Sequence, residues 1–347
     1  MTESRGDMGA AVTIEPGRPP AASLGFVEAW LPTGPAEALA GLPELAKHVD
    51  VSEPALGHTW AALATIAARD LGVARVVEPH LDALSILDQG GHRDAAVEER
   101  TWGVFAAEGG DNPLVAIPSP GGWTLRGVKP WCSLAGFVDS ALVTAHLGDG
   151  NRGLFAVELR DPRVEVIAGA WHARGLAEIE SGPVRFSDVD ARAIGDPGWY
   201  LSRPGFAWGG ISVAACWFGG SVGIARTVFA ALAAADSPGP LQLMHLGAID
   251  ELVESSRRAL AEAAAIARGT VTTVPGTLLT KRVRATVARA SEEIILRAGH
   301  ALGPAPLALD EEHAKRVADL QLYIRQHHAE RDQASAGSQL LGGVAPW

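Results

Sequence analysis

Near its end the chain reads "DLQLYIRQHHAERDQASAG", Asp319 to Gly337, with the adjacent histidines His327 and His328. An imidazole titrates near neutral pH and can take or give a proton, so the pair is a candidate acid–base group. Leu320, Tyr323, Ile324 and His327 fall at i, i+3, i+4 and i+7, so a helix through this stretch carries His327 on its apolar face, with Arg331 one turn farther on. His328 lies at the edge of that face, and Glu330, the carboxylate alternative, points off it. Inward polar groups need partners, which either a pocket for an anionic ligand or an ordinary core hydrogen bond or ion pair supplies.

Two other stretches carry chemistry-bearing residues. "GGSVG", Gly219 to Gly223, matches the nucleophile-elbow pattern and makes Ser221 a nominal nucleophile. The alternating strands, helices and oxyanion loop of a hydrolase are missing around it, so small residues that let helices pack closely are the better reading. In "GVKPWCSLAGFVDSALVTA", Trp131 and Ser133 could cover and hydrogen-bond the edge of a flat heteroaromatic cofactor, although a Trp at a strand end also serves as core. Just upstream, "GVFAAEGGDN" is a glycine-rich acidic loop holding Ala107, Glu108, Gly110 and Asp111.

The elements around these residues follow from periodicity. Trp60 to Leu87 has apolar residues at helical spacing, broken once at Pro79. From about Thr101 short alternating segments take over, and "GDGNRG" between two apolar runs signals a hairpin. After "GDPGWYLSRPG" long helical patterns return, clearest over Leu241–Arg268, Lys281–Ala301 and Asp310–Asp332. The order is helices, a small β domain and a helical bundle, with no βαβ alternation.

Composition narrows the function classes. A chain of 347 residues with 47% hydrophobic content can bury a sizeable core, as a soluble globular protein does. A formal charge of −11 and no Lys/Arg cluster longer than a pair argue against nucleic acid as a partner. The two cysteines, Cys132 and Cys216, form no metal or redox motif and suit a reducing, cytoplasmic setting. The first twenty residues lack a secretory apolar stretch and read as a disordered lead-in. Pro204 to Ala225 runs uncharged for 22 residues, but two Gly-Gly pairs and the absence of a basic flank favour a buried core or interface helix over a membrane span.

In combination the motifs resemble the acyl-CoA dehydrogenase superfamily of flavoproteins, from about Trp60 to Asp332. "AAEGGD" is similar to the family's Thr-Glu-Pro-x-x-Gly-Ser-Asp loop, with Glu108, Gly110 and Asp111 matching and Ala107 in place of the Thr. "GVKPWCS" resembles Gly-x-Lys-x-Trp-Ile-Thr, whose Trp and hydroxyl contact the isoalloxazine, and "GLAEIESGPVRFSDVDA" resembles the strand that ends the family's β domain. The resemblance implies an α+β multidomain fold: an N-terminal helical domain (21–102, shortened), a middle β-barrel or sandwich domain (103–195), a C-terminal four-helix bundle (196–337) and a tail (338–347). It further implies bound FAD, a homodimer or homotetramer built through the bundle, and a small-molecule substrate. The reaction implied is α,β-dehydrogenation of an acyl thioester, passing electrons to an acceptor the sequence does not identify.

Departures from the family pattern carry information too. The Arg-x-x-Phe-Gly segment that reaches the FAD pyrophosphate across a dimer is replaced by "AADSPGPLQLMHLGAIDEL", and the Gly-Gly-x-Gly-Tyr segment by "GHALG". The family's catalytic Glu, which follows an Arg-Asp pair, falls near His327 when Asp319 is set on that pair. A histidine base is therefore expected, His327 or His328. Family members that are flavin monooxygenases place histidines from the N-terminal and C-terminal helices around the flavin, which adds His80, in "VVEPHLDAL", as a candidate. A noncatalytic binding or scaffolding member is the remaining alternative.

Overall fold

The computed structural model describes residues 10–18, 22–30, 32–109, 112–148, 150–269 and 276–343. Among these residues five α-helices come first: α1 (Ala22–Trp30), α2 (Pro35–His48), α3 (Leu56–Arg69), α4 (Leu71–Gln89) and the short α5 (Ala95–Glu98). Within the stretch expected to be disordered, Val12 and Ile14 are buried, and the Val12 amide donates to Thr65 Oγ1 on α3 at 2.9 Å. The helical region after Trp60 is not broken at Pro79. α4 runs through that proline, which forgoes a single backbone bond. The break lies at Asp70, whose extended backbone (φ −146°, ψ 120°) separates α3 from α4 and whose carboxylate caps the Val73 amide at 3.0 Å.

Among the described residues seven strands follow: β1 (Trp102–Phe105), β2 (Val115–Ser119), β3 (Gly122–Lys129), β4 (Ser140–His146), β5 (Arg152–Glu158), β6 (Val164–Val166) and β7 (Val184–Ile194). Pairings β4–β5–β7–β3–β2–β4 close a ring, with β1 added parallel to β4 and β6 antiparallel to β7. Closure removes most free edges. The hairpin expected at "GDGNRG" joins β4 and β5, with Ser140 opposite Glu158 and His146 opposite Arg152.

The remaining helices are α6 (Trp199–Ser202), α7 (Phe206–Ala234), α8 (Pro240–Ala267), α9 (Gly276–Leu302), α10 (Ala305–Leu309), α11 (Glu311–Tyr323) and α12 (Glu330–Leu341). α7 is long and apolar enough to cross a membrane, yet most of its apolar stretch is covered by the rest of the protein. It is the central core helix, as the charge-free run suggested. Gly219 and Gly223 of "GGSVG" lie on it where it meets α3, since a Cβ on Gly219 would stand 2.2 Å from the Ala64 carbonyl oxygen. Ser221 is buried and donates to Ser291 Oγ on α9 at 2.8 Å. The motif is a helix-packing device.

One expected helix is two. α11 stops at Tyr323, a 3₁₀ turn covers Ile324–Gln326, and α12 begins at Glu330. His327 is extended (φ −83°, ψ 120°) and Ala329 has φ 42° and ψ −113°, a conformation costly for a residue with a Cβ. His327 therefore does not continue the α11 face, and Arg331 belongs to another helix.

Candidate functional site

The Trp131 segment is built under backbone tension. Trp131, Leu134 and the facing Leu176 all have positive φ (59°, 58° and 49°), a state that surrounding structure must enforce. The enforcement is visible: the Cys132 amide donates to Gly182 O at 3.0 Å and the Leu134 amide to Glu180 O at 2.7 Å. The result sets the Trp131 indole outward, 60% exposed, touching Trp171 edge-on at 6.4 Å between centroids. An aromatic face held open in this way is not core.

Ser133, two residues on, faces inward. Its Oγ lies 2.7 Å from Ser181 Oγ and accepts from Arg75 of α4 at 3.0 Å. Around Arg75 the N-terminal helices, the β domain and the bundle converge. Its guanidinium stands 5.7 Å from the Tyr323 ring centroid and 3.5 Å from the Glu78 carboxylate. Tyr323 meets Trp217 edge-on, and Arg284 of α9 lies over the Trp217 ring at 4.6 Å. Tyr323 is fully buried, and its hydroxyl has no oxygen or nitrogen partner. Burial pushes the Glu78 carboxyl up to about 7, against the pull of Arg75. Burial likewise raises the Tyr323 hydroxyl, which stays protonated.

Arg284 also explains where α11 ends. It donates to Gly210 O on α7 at 2.8 Å and to Gln326 O at 2.7 Å, pinning the turn that carries His327. The His327 side chain is only 6% exposed, and its Nε2 has no hydrogen-bond partner, the nearest carboxylate being Asp332 at 4.0 Å. Burial lowers its pKa, opposed by Asp332 and reinforced by Arg284, so the imidazole is neutral at pH 7. His327 is thus inward, as expected, but through a pinned turn and not a helical face. His328 is exposed, with its amide donating to Asp332 at 3.1 Å.

His80 belongs elsewhere. It is fully buried, its Nδ1 accepts the Trp102 amide at 3.3 Å, and burial lowers its pKa to about 4. It ties α4 to β1. The structure does not bring it into contact with His327 or Ser133. Ala107 and Glu108 flank the barrel. The Glu108 carboxylate is held by Lys129 (3.1 Å), His146 (2.8 Å) and Arg152 (3.2 Å), so its side chain anchors the loop whose backbone remains exposed. A cavity of about 200 Å³ adjoins this loop, lined by Ala106, Thr144, Arg152 and Tyr200 among others. Gly110 and Asp111 lie outside the described residues.

Below the site, Asp70, Glu178 and Asp319 bring carboxylate oxygens within 4.8 Å of one another. The Lys315 ammonium sits among them at 3.3, 2.7 and 2.7 Å, so this cluster is a lysine-centred ion network joining three parts of the chain. Asp319 also accepts the Leu176 amide at 2.5 Å, which supports the Trp131 segment from behind. Asp319→Asn is expected to lower unfolding free energy by about 2 kcal/mol, measured by urea denaturation, because it removes charge-assisted bonds from a buried acceptor.

Arg75, Glu78, Trp217 and Arg284 escaped the sequence reading, and Tyr323 entered it only as part of an apolar face. The signal available was a charged pair at i, i+3 within the otherwise apolar "LGVARVVEPHLDAL".

No protein-family model and no curated protein matches the chain. Solved structures do match in fold. KijD3 in complex with FMN and dTDP-3-amino-2,3,6-trideoxy-4-keto-3-methyl-D-glucose superposes with a TM-score of 0.80 at 19% identity, over 96% of this chain and 97% of that one. FMN-bound TdsC from Paenibacillus sp. A11-2, described elsewhere as dibenzothiophene monooxygenase, gives 0.74 at 18% identity, over 88% and 90%. PigA with FAD and proline gives 0.74 at 15% identity, over 94% and 99%.

Proposed function

On the acyl-CoA dehydrogenase-like fold that these matches share with the chain, we propose a flavin-dependent oxidoreductase that oxygenates a small-molecule substrate. The exposed Trp131 indole, the inward Ser133 hydroxyl and the His327 Nε2, which has no hydrogen-bond partner, suit a flat heteroaromatic group with polar edges. Trp131 would cover its face, the Ala107–Gly109 backbone would border it, and the Ser133–Arg75 pair would meet its edge. FMN is favoured over FAD, because the segment that anchors the FAD pyrophosphate in the family has no counterpart here. KijD3 and TdsC are both described with FMN.

What supports the choice of reaction is the inward His327 imidazole, whose neutral form burial favours, on the segment where the family resemblance would set the dehydrogenases' catalytic Glu. When bound and reduced, the flavin supplies the electrons that activate oxygen. His327, whose neutral form burial favours, would take up the proton that moves during oxygen transfer, while Tyr323 would stay a protonated wall of the site. Arg284 keeps the His327 turn in place, and the buried aromatic layer excludes water.

A second reading, α,β-dehydrogenation of an acyl thioester, draws support from Glu78, whose pKa near 7 suits a general base. One experiment separates them. Protein loaded with dithionite-reduced FMN is mixed with oxygenated buffer and a panel of aromatic and heteroatom substrates. Products carrying one atom from ¹⁸O₂ are expected. Anaerobic bleaching of the oxidised flavin by acyl-CoA, with no oxygen incorporation in any product, would instead establish the dehydrogenase reading.

A further inference from the structure

The hydroxyl expected to serve the flavin edge has already spent its proton. Ser181 Oγ donates to Ile179 O at 2.9 Å, so the 2.7 Å contact between the two hydroxyls must use the Ser133 proton. With that proton committed to Ser181, Ser133 can offer any other partner only its lone pairs, and one of these accepts the Arg75 N–H at 3.0 Å. Donor capacity and positive charge at this edge therefore come from a residue of α4 in the N-terminal helices, brought 58 positions along the chain to the β domain.

We propose that Arg75 sets the reduction potential of the flavin bound at Trp131 and Ser133 by placing a cation at the ring edge. The proposal rests on the flavin reading above. Uptake of two electrons and one proton leaves one negative charge on the isoalloxazine, and a nearby cation favours that product. Arg75 is well placed: its side chain is 13% exposed, so solvent screens it weakly. It is also poorly neutralised. Glu78, the paired carboxylate, is 3.5 Å away, a loose contact, and with its pKa near 7 it is largely protonated in mildly acidic solution. The other charges facing Glu78 are Asp82, itself 3.6 Å from Arg203, and Arg284. Neither replaces a full counter-ion for Arg75.

The test is a spectroelectrochemical titration of the FMN-loaded protein and three variants. Arg75→Gln is expected to make two-electron reduction at least tenfold less favourable, a shift of about 30 mV to more negative potential. Arg75→Lys, which keeps the charge, should lie between. Glu78→Gln should move the potential the opposite way at pH 8, where the wild-type carboxylate is ionised, and have little effect at pH 6. The opposed signs exclude a general loosening of the site, and the Glu78 and lysine variants decide the matter if Arg75→Gln does not fold. An unchanged potential in folded, flavin-loaded Arg75→Gln, or shifts of the same sign in both glutamine variants, overturns the proposal while leaving the flavin reading intact. Failure of the wild type to take up flavin removes that reading first.

Discussion

Replacing His327 by alanine should lower turnover by about 10²- to 10⁴-fold and leave folding and flavin affinity near wild type. The side chain makes no hydrogen bond through Nε2, so its removal orphans no partner. Its stability cost is confined to lost packing. The loss in rate should instead be a loss of proton transfer, and it should carry a pH signature. Burial holds the folded pKa of His327 below the ordinary histidine value, so the neutral form dominates from the folded pKa upward. The rate should therefore rise with pH to a plateau, with its inflection below the ordinary histidine value of about 6.5. Asp332→Asn removes a charge that raises this pKa and should move the inflection to lower pH. Stability follows the same direction. The preference for a neutral imidazole in the folded state is fully present above the unfolded pKa and is lost as pH falls through the folded one. A steady-state pH profile of wild type, His327→Ala and Asp332→Asn checks all three statements, and an unaltered rate in His327→Ala removes the histidine from the mechanism.

Gly219→Ala should destabilise the protein by about 3 kcal/mol, although it adds only one methyl group. The new Cβ would stand 2.2 Å from Ala64 O and 2.8 Å from the Ala64 Cα, both backbone atoms of α3. No rotamer change relieves that clash. α3 and α7 must separate, and with them the layer that holds Trp60 and Trp217, both fully buried. The control is Gly247→Ala on α8, where the added Cβ meets nothing within 4 Å. There the helix should gain up to about 1 kcal/mol. Urea denaturation of the two variants should give midpoints on opposite sides of wild type. Equal midpoints would mean that the close approach of α3 and α7 is relaxed in solution.

These two glycines illustrate what the sequence conveyed. "GGSVG" was legible as a packing motif because its surroundings lacked the strands that a nucleophile elbow needs, and Ser221 does spend its proton on Ser291. The β4–β5 hairpin and the long apolar α7 were legible for similar reasons, since local turn chemistry and periodicity decide them. Pro79 misled because a long, buried helix tolerates the loss of one hydrogen bond. Asp70 carried the true boundary signal as an N-cap. The end of α11 had no local signal of that kind. No glycine or proline lies between Tyr323 and Glu330, and the terminator is the guanidinium of Arg284, about forty residues earlier in the chain. The rest of the inner wall was invisible for the same reason: Arg75 and Arg284 come to Ser133, Tyr323 and Trp217 only after three regions of the chain pack together.

The central claim is that the face opened at Trp131 and Ser133 is a flavin site. Titration of the purified protein with FMN, followed by flavin fluorescence and visible absorption, tests it directly. The expected result is saturable binding with perturbed flavin bands, weakened at least tenfold in Trp131→Ala, whose exposed side chain contributes little to the fold. Flavin spectra unchanged by the protein, with FMN and FAD alike, would contradict the assignment.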